Sequence, residues 1–174
     1  MGPEYAHDGH MNQPVASLSL TWRIARLEDL SPLELARLYR ARQTVFAIEQ
    51  NSLYLDADKA DEQSFHIAAW AAGHELPLAC ARLVDPGVKY AEPSIGRVVT
   101  TAAGRGSGLG RELVARVLRL SAERFPGLGN RISAQSYLRR FYGSFGFEAV
   151  GEDYLEDGIP HIEMVLPAQA PARQ

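Results

Sequence analysis

A short β-branched run, Ile95-Gly96-Arg97-Val98-Val99-Thr100, passes through Thr101-Ala102-Ala103-Gly104-Arg105-Gly106 into a helical pattern beginning near Ser107. A strand that turns through glycines directly into a helix leaves the backbone few choices. The first helical turn exposes N–H groups without partners and the positive end of the peptide dipole. Gly106, Gly108 and Gly110 lack a Cβ, so the chain can approach a bound group closely and take positive φ where the turn requires it. Arg105 adds a cation suited to a charge-assisted contact. The segment reads as an anion cradle.

The kind of cradle follows by elimination. A Walker A loop needs Gly-Lys-Ser/Thr, and the lysines of this chain, Lys59 and Lys89, lie far from the turn. A dinucleotide fingerprint needs G-x-G-x-x-G, but the register from Gly104 ends on Leu109 and that from Gly106 ends on Arg111. What remains is Arg105-x-x-Gly108-x-Gly110 after a strand and at the head of an amphipathic helix.

This segment resembles the acyl-CoA diphosphate loop of the GNAT superfamily of N-acyltransferases, whose pattern is Gln/Arg-x-x-Gly-x-Gly/Ala. The likeness continues through residues 135–147, which resemble the family's later strand, short helix and terminal Gly-Phe. Val45-Phe46-Ala47-Ile48-Glu49-Gln50 and Glu156-Asp157-Gly158-Ile159-Pro160-His161-Ile162 resemble the small bacterial ElaA-like branch. The match covers residues 18–166.

Bulk properties bound the rest. A chain of 174 residues suits one domain, able to bury about 70% of its unfolded surface. The single cysteine, Cys80, excludes an intrachain disulfide and lies in an apolar strand pattern, so it reads as a small buried hydrophobe in a reducing, cytoplasmic setting. A net charge of -3 offers no basic footprint for nucleic acid. No apolar run approaches the ~20 residues of a membrane span, and residues 1–17 lack the pattern of a signal sequence.

Residues 1–17 read as a flexible tail, in which Met1 to His10 look vector-derived, Met11 could be the natural start, and His7 and His10 serve no metal. Leu18, Leu20, Trp22 and Ile24 alternate with polar or small residues, the pattern of a half-buried strand. Ser31-Pro32-Leu33-Glu34 forms a capping box before a helix that buries Leu35, Leu38, Tyr39, Val45 and Phe46. Asp56, Asp58, Asp61 and Glu62 fail calcium-loop spacing and read as a solvated loop, the alternative being an acid patch for a cationic substrate. Strand patterns follow at 65–72, 76–84 and 95–100, then a helix at 107–124 with Leu109, Leu113, Val114, Val117, Leu118 and Leu120 on one face. A strand at 131–135, a short helix at 136–145, and strands at 149–154 and 162–166 complete the domain 18–166, before a flexible tail at 167–174. Strands and helices alternate without repeats, which makes the chain α/β with a mixed sheet.

The resemblance implies a mostly antiparallel sheet of six to seven strands with helices on both faces. The fourth and fifth strands part to admit the pantetheine arm. It also implies transfer of an acetyl group from acetyl-CoA, the cosubstrate, to a small-molecule or protein amine by direct attack in a ternary complex, with no metal. Arg105, Gly106, Ser107, Gly108, Leu109, Gly110 and Arg111 would hold the diphosphate. Val98, Val99 and Thr100 would border the pantetheine, with the Val99 N–H at the thioester carbonyl, and Gln135 would contact the arm. Tyr142, in Phe141-Tyr142-x-x-Phe145-Gly146-Phe147, matches the family tyrosine that faces the CoA sulfur, and would be the acid for the leaving thiolate. An alkylamine of pKa ~10.4 is only about 1 part in 2,500 free base at pH 7, so a base is needed as well. Glu49 and His161 are the candidates, Glu49 alternatively binding the substrate cation. Arg97, inside the cradle strand, should pair with an acid or a substrate carboxylate.

Three positions depart from the family pattern: Ala102 stands where proline is frequent, Gly104 where a large residue is usual, and Gln135 where asparagine is frequent. The first two should loosen the loop. A catalytically silent CoA-binding module, or a homoserine-lactone-type acyl-transfer enzyme suggested by Arg42-x-x-Val45-Phe46, are the alternative functions. The oligomeric state stays open, with a homodimer as one option.

Overall fold

Two ladders of strands form the body of the computed structural model, which describes residues 19–168. β1 (Leu20–Arg26), β2 (Ser64–Ala71), β3 (Ala79–Val84) and β4 (Ser94–Thr100) pair antiparallel in chain order. β5 (Asn130–Gln135), β6 (Glu148–Glu156) and β7 (Ile159–Leu166) form the second ladder, with β7 in the middle. The helices are α1 (Pro32–Gln43), α2 (Leu109–Arg124) and the short α3 (Arg139–Gly143). The expected tail 1–17 and residues 169–174 of the expected C-terminal tail lie outside the described residues. Among the described residues, no helix is long and apolar enough to cross a membrane.

Successive side chains along β2 and β3 go to opposite faces. Ile67 and Ala69, with Ala79, Ala81 and Leu83, share a core with Leu109, Leu113, Val114 and Val117 of α2. Ala68 and Cys80, with Val99, pack on the other face against Leu38, Val45 and Phe46. Both faces are covered, which is why β2 and β3 read as nearly continuous apolar runs. Each fully buried Leu, Val or Phe contributes roughly 1.5–3 kcal/mol. Cys80 sits among them as a small hydrophobe, and burial pushes its thiol up to about 12. Ile24, expected inward beside Leu20 and Trp22, stands 41% exposed on β1, the edge strand.

α1 starts as its sequence requires: Ser31 Oγ accepts from the Glu34 N–H at 3.2 Å, Glu34 Oε2 accepts from the Ser31 N–H at 2.8 Å, and Pro32 takes the first helical position. After Gln43 the winding widens into a π turn, Thr44–Glu49, where β-branched Thr44, Val45 and Ile48 cluster. α2 starts at Leu109 rather than Ser107, because Gly108 takes a left-handed φ of 79° as its N-cap. Ser107 stays in the turn and donates its hydroxyl to Gly104 O at 2.8 Å.

Hydrogen bonds join the two ladders at the starts of β4 and β5. There Asn130, 1% exposed, accepts from the Ile95 N–H at 3.2 Å and donates to Ser121 Oγ of α2 at 3.3 Å, while the Arg131 N–H donates to Pro93 O at 3.1 Å. Further along, the strands separate into different ladders, and a cavity of about 270 Å³ lies between them.

Gly104 corrects the expectation that it loosens the loop. It is buried, and a Cβ at this position would stand 2.4 Å from Leu78 O, a carbonyl already taken by the Thr101 N–H at 2.9 Å. Gly104→Ala should therefore overpack the site, costing about 1–3 kcal/mol and several degrees of Tm. Gly106→Ala meets nothing within 4 Å and suffers only its positive φ. Thermal melts of the two variants check this; a smaller loss for Gly104→Ala than for Gly106→Ala would contradict it.

Candidate active site

The cradle is built from backbone. Gly106 and Gly108 adopt φ of 77° and 79°, and no atom lies within 4 Å of where a Cβ of either would be. The Glu112 N–H bonds to Gly108 O at 3.1 Å as the first rung of α2, so the amides of Leu109, Gly110 and Arg111 have no helical partner. Gly110 passes close to Thr100, where a Cβ would meet Oγ1 at 3.2 Å. Arg111 stacks over the rings of Phe141 and Phe145 at 5.7 and 5.1 Å, which fixes a second cation at the helix start. Open amides, small residues and two arginines fit a diphosphate.

Arg105 is engaged on both sides. Its Nε donates to Thr100 O at 3.0 Å, and its Nη2 is bound by the carboxylate of Glu49 at the end of the π turn. The neighbouring Gln50 accepts from Gln135 Nε2 at 3.3 Å. The end of the π turn thus reaches the loop after β4 and the end of β5, and it brings expected base and expected cradle cation together as an ion pair.

The cavity between β4 and β5 collects Val98, Gln135, Tyr142 and His161. Tyr142 is 6% exposed, with edge-on rings at 5.1 Å (Phe141) and 5.9 Å (Phe147). Burial first, and Tyr137 second, raise its phenol above the ordinary tyrosine value, so it stays protonated at neutral pH. His161 Nδ1 lies 2.8 Å from Ile159 O. A carbonyl only accepts, so Nδ1 carries the proton and Nε2 is the basic nitrogen of the neutral ring.

The acidic loop is neither solvated nor a free acid patch, apart from exposed Glu62. Asp56 and Asp61 are 8% and 1% exposed, and Arg42 and Arg82 are 1% exposed each. Arg42 donates to Asp56 Oδ2 and Asp61 Oδ1, both at 2.8 Å; Arg82 donates to both oxygens of Asp58 at 2.6 and 3.0 Å and pairs with Asp61 at 2.9 Å. Arg97 pairs with Asp56 at 2.9 Å and Asp58 at 3.3 Å, and lies over Tyr54 at 5.0 Å. The sequence stretch is acidic, but its partners come from α1, β3 and β4. Arg97 has a positive φ of 51° where the β3–β4 register shifts, which marks a bulge in the cavity wall. No group of three or more metal-ligating side chains occurs among the described residues.

A model of the acetyltransferase (GNAT) domain matches residues 41–168. The chain belongs to the GNAT family. The UPF0039 protein sll0451 of Synechocystis is 43% identical over 149 residues, covering 86% of this chain and 96% of that protein. Protein ElaA of Escherichia coli is 37% identical over 147 residues, covering 83% and 95%. Among solved structures, an acyl-CoA N-acyltransferase from Pseudomonas aeruginosa superposes with a TM-score of 0.80 at 39% identity, covering 85% of this chain and 99% of that one. These likenesses bear out the GNAT fold and its ElaA-like branch, and membership implies acyltransferase chemistry.

Around His161, the GNAT domain holds residues that sequence reasoning passed over. Ser133 Oγ donates to Glu156 Oε2 at 2.6 Å, so its other hydrogen bond is accepted from the Tyr154 hydroxyl. The Tyr154 ring stacks on His161 at 6.2 Å. Lys89 lines the cavity from the connection between β3 and β4. Alternation along β5 does put Ser133 on the same face as Gln135. Tyr154 was harder to place, since the β6–β7 register shifts between Val150 and Tyr154 and brings it opposite His161.

Burial would raise the Asp61 carboxyl, but hydrogen bonds and charge from Arg42, then Arg82, outweigh it and hold it at about 2, against an ordinary 3.8. A depressed folded-state pKa stabilises above the unfolded value and is lost as pH falls through the folded one. Stability should therefore drop steeply between about pH 4 and pH 2, and Asp61→Asn should flatten that slope. Urea melts across this range test it, an unchanged slope being the contrary result.

Proposed function

We propose that this GNAT protein transfers an acetyl group from acetyl-CoA to a small amine by direct attack within a ternary complex. The observation that carries the reading is that β4, the strand that runs into the glycine turn, also supplies Val98 to the polar cavity holding Tyr142 and His161 where β4 and β5 part. At about 270 Å³ the cavity sits at the small end of ligand sites, which favours a small acceptor. Acetyl-CoA supplies the activated thioester. Arg105, the glycine turn and the amides of Leu109 to Arg111 hold the diphosphate, and Val98, Val99, Thr100 and Gln135 border the arm.

His161 takes the proton from the attacking amine at Nε2, with Ile159 O and the Tyr154 ring keeping the imidazole in that tautomer and orientation. Tyr142 offers its hydroxyl proton to the departing sulfur. Its raised pKa makes it a hydrogen-bond donor first and a full proton donor second, so solvent can substitute in part. Glu49 becomes available to an acceptor ammonium only when Arg105 turns to the diphosphate.

Thiol release from acetyl-CoA over a panel of amines tests the activity; CoA binding without release on any amine would leave a silent CoA-binding module. Tyr142→Phe should lower kcat by about 10- to 100-fold with unchanged CoA affinity. His161→Asn should lower kcat with little change in CoA affinity, and unchanged turnover would take His161 out of proton transfer. Glu49→Gln frees Arg105 and should tighten CoA binding by about two- to fivefold in calorimetry, in line with the modest worth of an exposed pair. Weaker binding would mean that Glu49 supports the cradle.

A further inference from the structure

Most of the charge in the cavity wall is spent within the protein. Arg82 and Arg97 both line the cavity, yet each already holds two carboxylates, Asp58 and Asp61 for Arg82 and Asp56 and Asp58 for Arg97. With Arg42 on Asp56 and Asp61, these arginines and aspartates cancel. Lys89 is different. It lines the same cavity, is more than a third exposed, and among the described residues forms no ion pair within 4.0 Å. From the β6–β7 hairpin, Glu156 also lines the cavity, oriented by Ser133 and in no ion pair among the described residues.

We propose that the acceptor is a small amine that also carries an anionic group, in the simplest case a carboxylate, with its anion on Lys89 and its amine between Glu156 and His161. The inference rests on the acetyltransfer reading and specifies its substrate class. A cavity offering one uncommitted cation and a carboxylate on another element matches a zwitterion. A simple monoamine would leave the ammonium of Lys89 without a direct ion-pair partner among the described residues, with only the more distant charges of Glu156 and Asp58 acting on it, and a diamine would set a second ammonium against it. An anion on the guanidiniums would compete with their aspartates, of which Asp56 and Asp61 are buried, a costly exchange. Supporting the same assignment, the surrounding protein and the cations Arg82 and Arg97 hold the Lys89 pKa below its ordinary value against the opposing pull of Glu156 and Asp58, a penalty that a bound anion relieves. The exposed position of Lys89 lets such an anion arrive from solvent.

The test uses the full chain and three probes of matched length: β-alanine, β-alaninamide and 1,3-diaminopropane, with a second trio one methylene longer. Each is measured by thiol release from acetyl-CoA and, independently of turnover, by calorimetric binding to the CoA-loaded protein. The carboxylate member should exceed its amide by at least about tenfold in kcat/KM and in affinity. Lys89→Met should collapse that ratio toward one through KM, and Lys89→Glu should shift preference to the diamine. A CoA-induced thermal shift in both variants confirms that they fold. Equal binding of carboxylate and amide, or a carboxylate preference that survives Lys89→Met, overturns the proposal. Lys89-dependent carboxylate binding without thiol release on any probe would keep the anion site while the acetyltransfer reading fails.

Discussion

Arg42, Arg82 and Arg97 together with Asp56, Asp58 and Asp61 tie α1, the connection before β2, β3 and the bulge of β4 into one body. A buried charge costs several kcal/mol unless it is paired and hydrogen-bonded, so this connection has few arrangements open to it. The placement of Tyr54 under Arg97 and the left-handed backbone of Arg97 both follow from that requirement. A non-glycine residue at positive φ costs roughly 1–2 kcal/mol, and the ion pairs of Arg97 offset it. The resulting wall is close to neutral, which lets Lys89 and Glu156 stand out.

A second constraint sits at Asn130. By holding the start of β4, the start of β5 and the end of α2 together, it confines the parting of the strands to their far ends. The parting consequently forms one path between the two strands, running from the cavity lined by Val98 and Gln135 toward the strand ends. The π turn after α1 touches both sides of that path, through Glu49 on Arg105 and Gln50 on Gln135. One turn therefore holds both the cation that follows β4 and the amide at the end of β5.

Features whose causes are local were readable in the chain. The capping box at Ser31 is complete within four residues, and the apolar period of α2 and the positive φ of Gly106 and Gly108 need only their neighbours in sequence. Gly104 was misread, since what forbids a side chain there is the carbonyl of Leu78, remote in sequence. The same holds for Asp56 and Asp61: an acidic run looks solvated until the arginines of α1 and β3 are brought to it. His161 was legible as a candidate, but not the support it receives from Tyr154, because a register shift in the β6–β7 pair decides what faces it.

By itself the sequence determined the glycine turn at the head of α2, the order of strands and helices, the buried character of Cys80 and the family pattern that includes Tyr142. These depend on spacing along the chain, and spacing sets which groups share a turn or a face. Tertiary structure alone decided which charges cancel and which stay free, that Glu49 rests on Arg105, and that Lys89 and Glu156 line one cavity. Pairing of charge depends on distance through space, and residues far apart in the chain acquire that distance only when the sheet has folded.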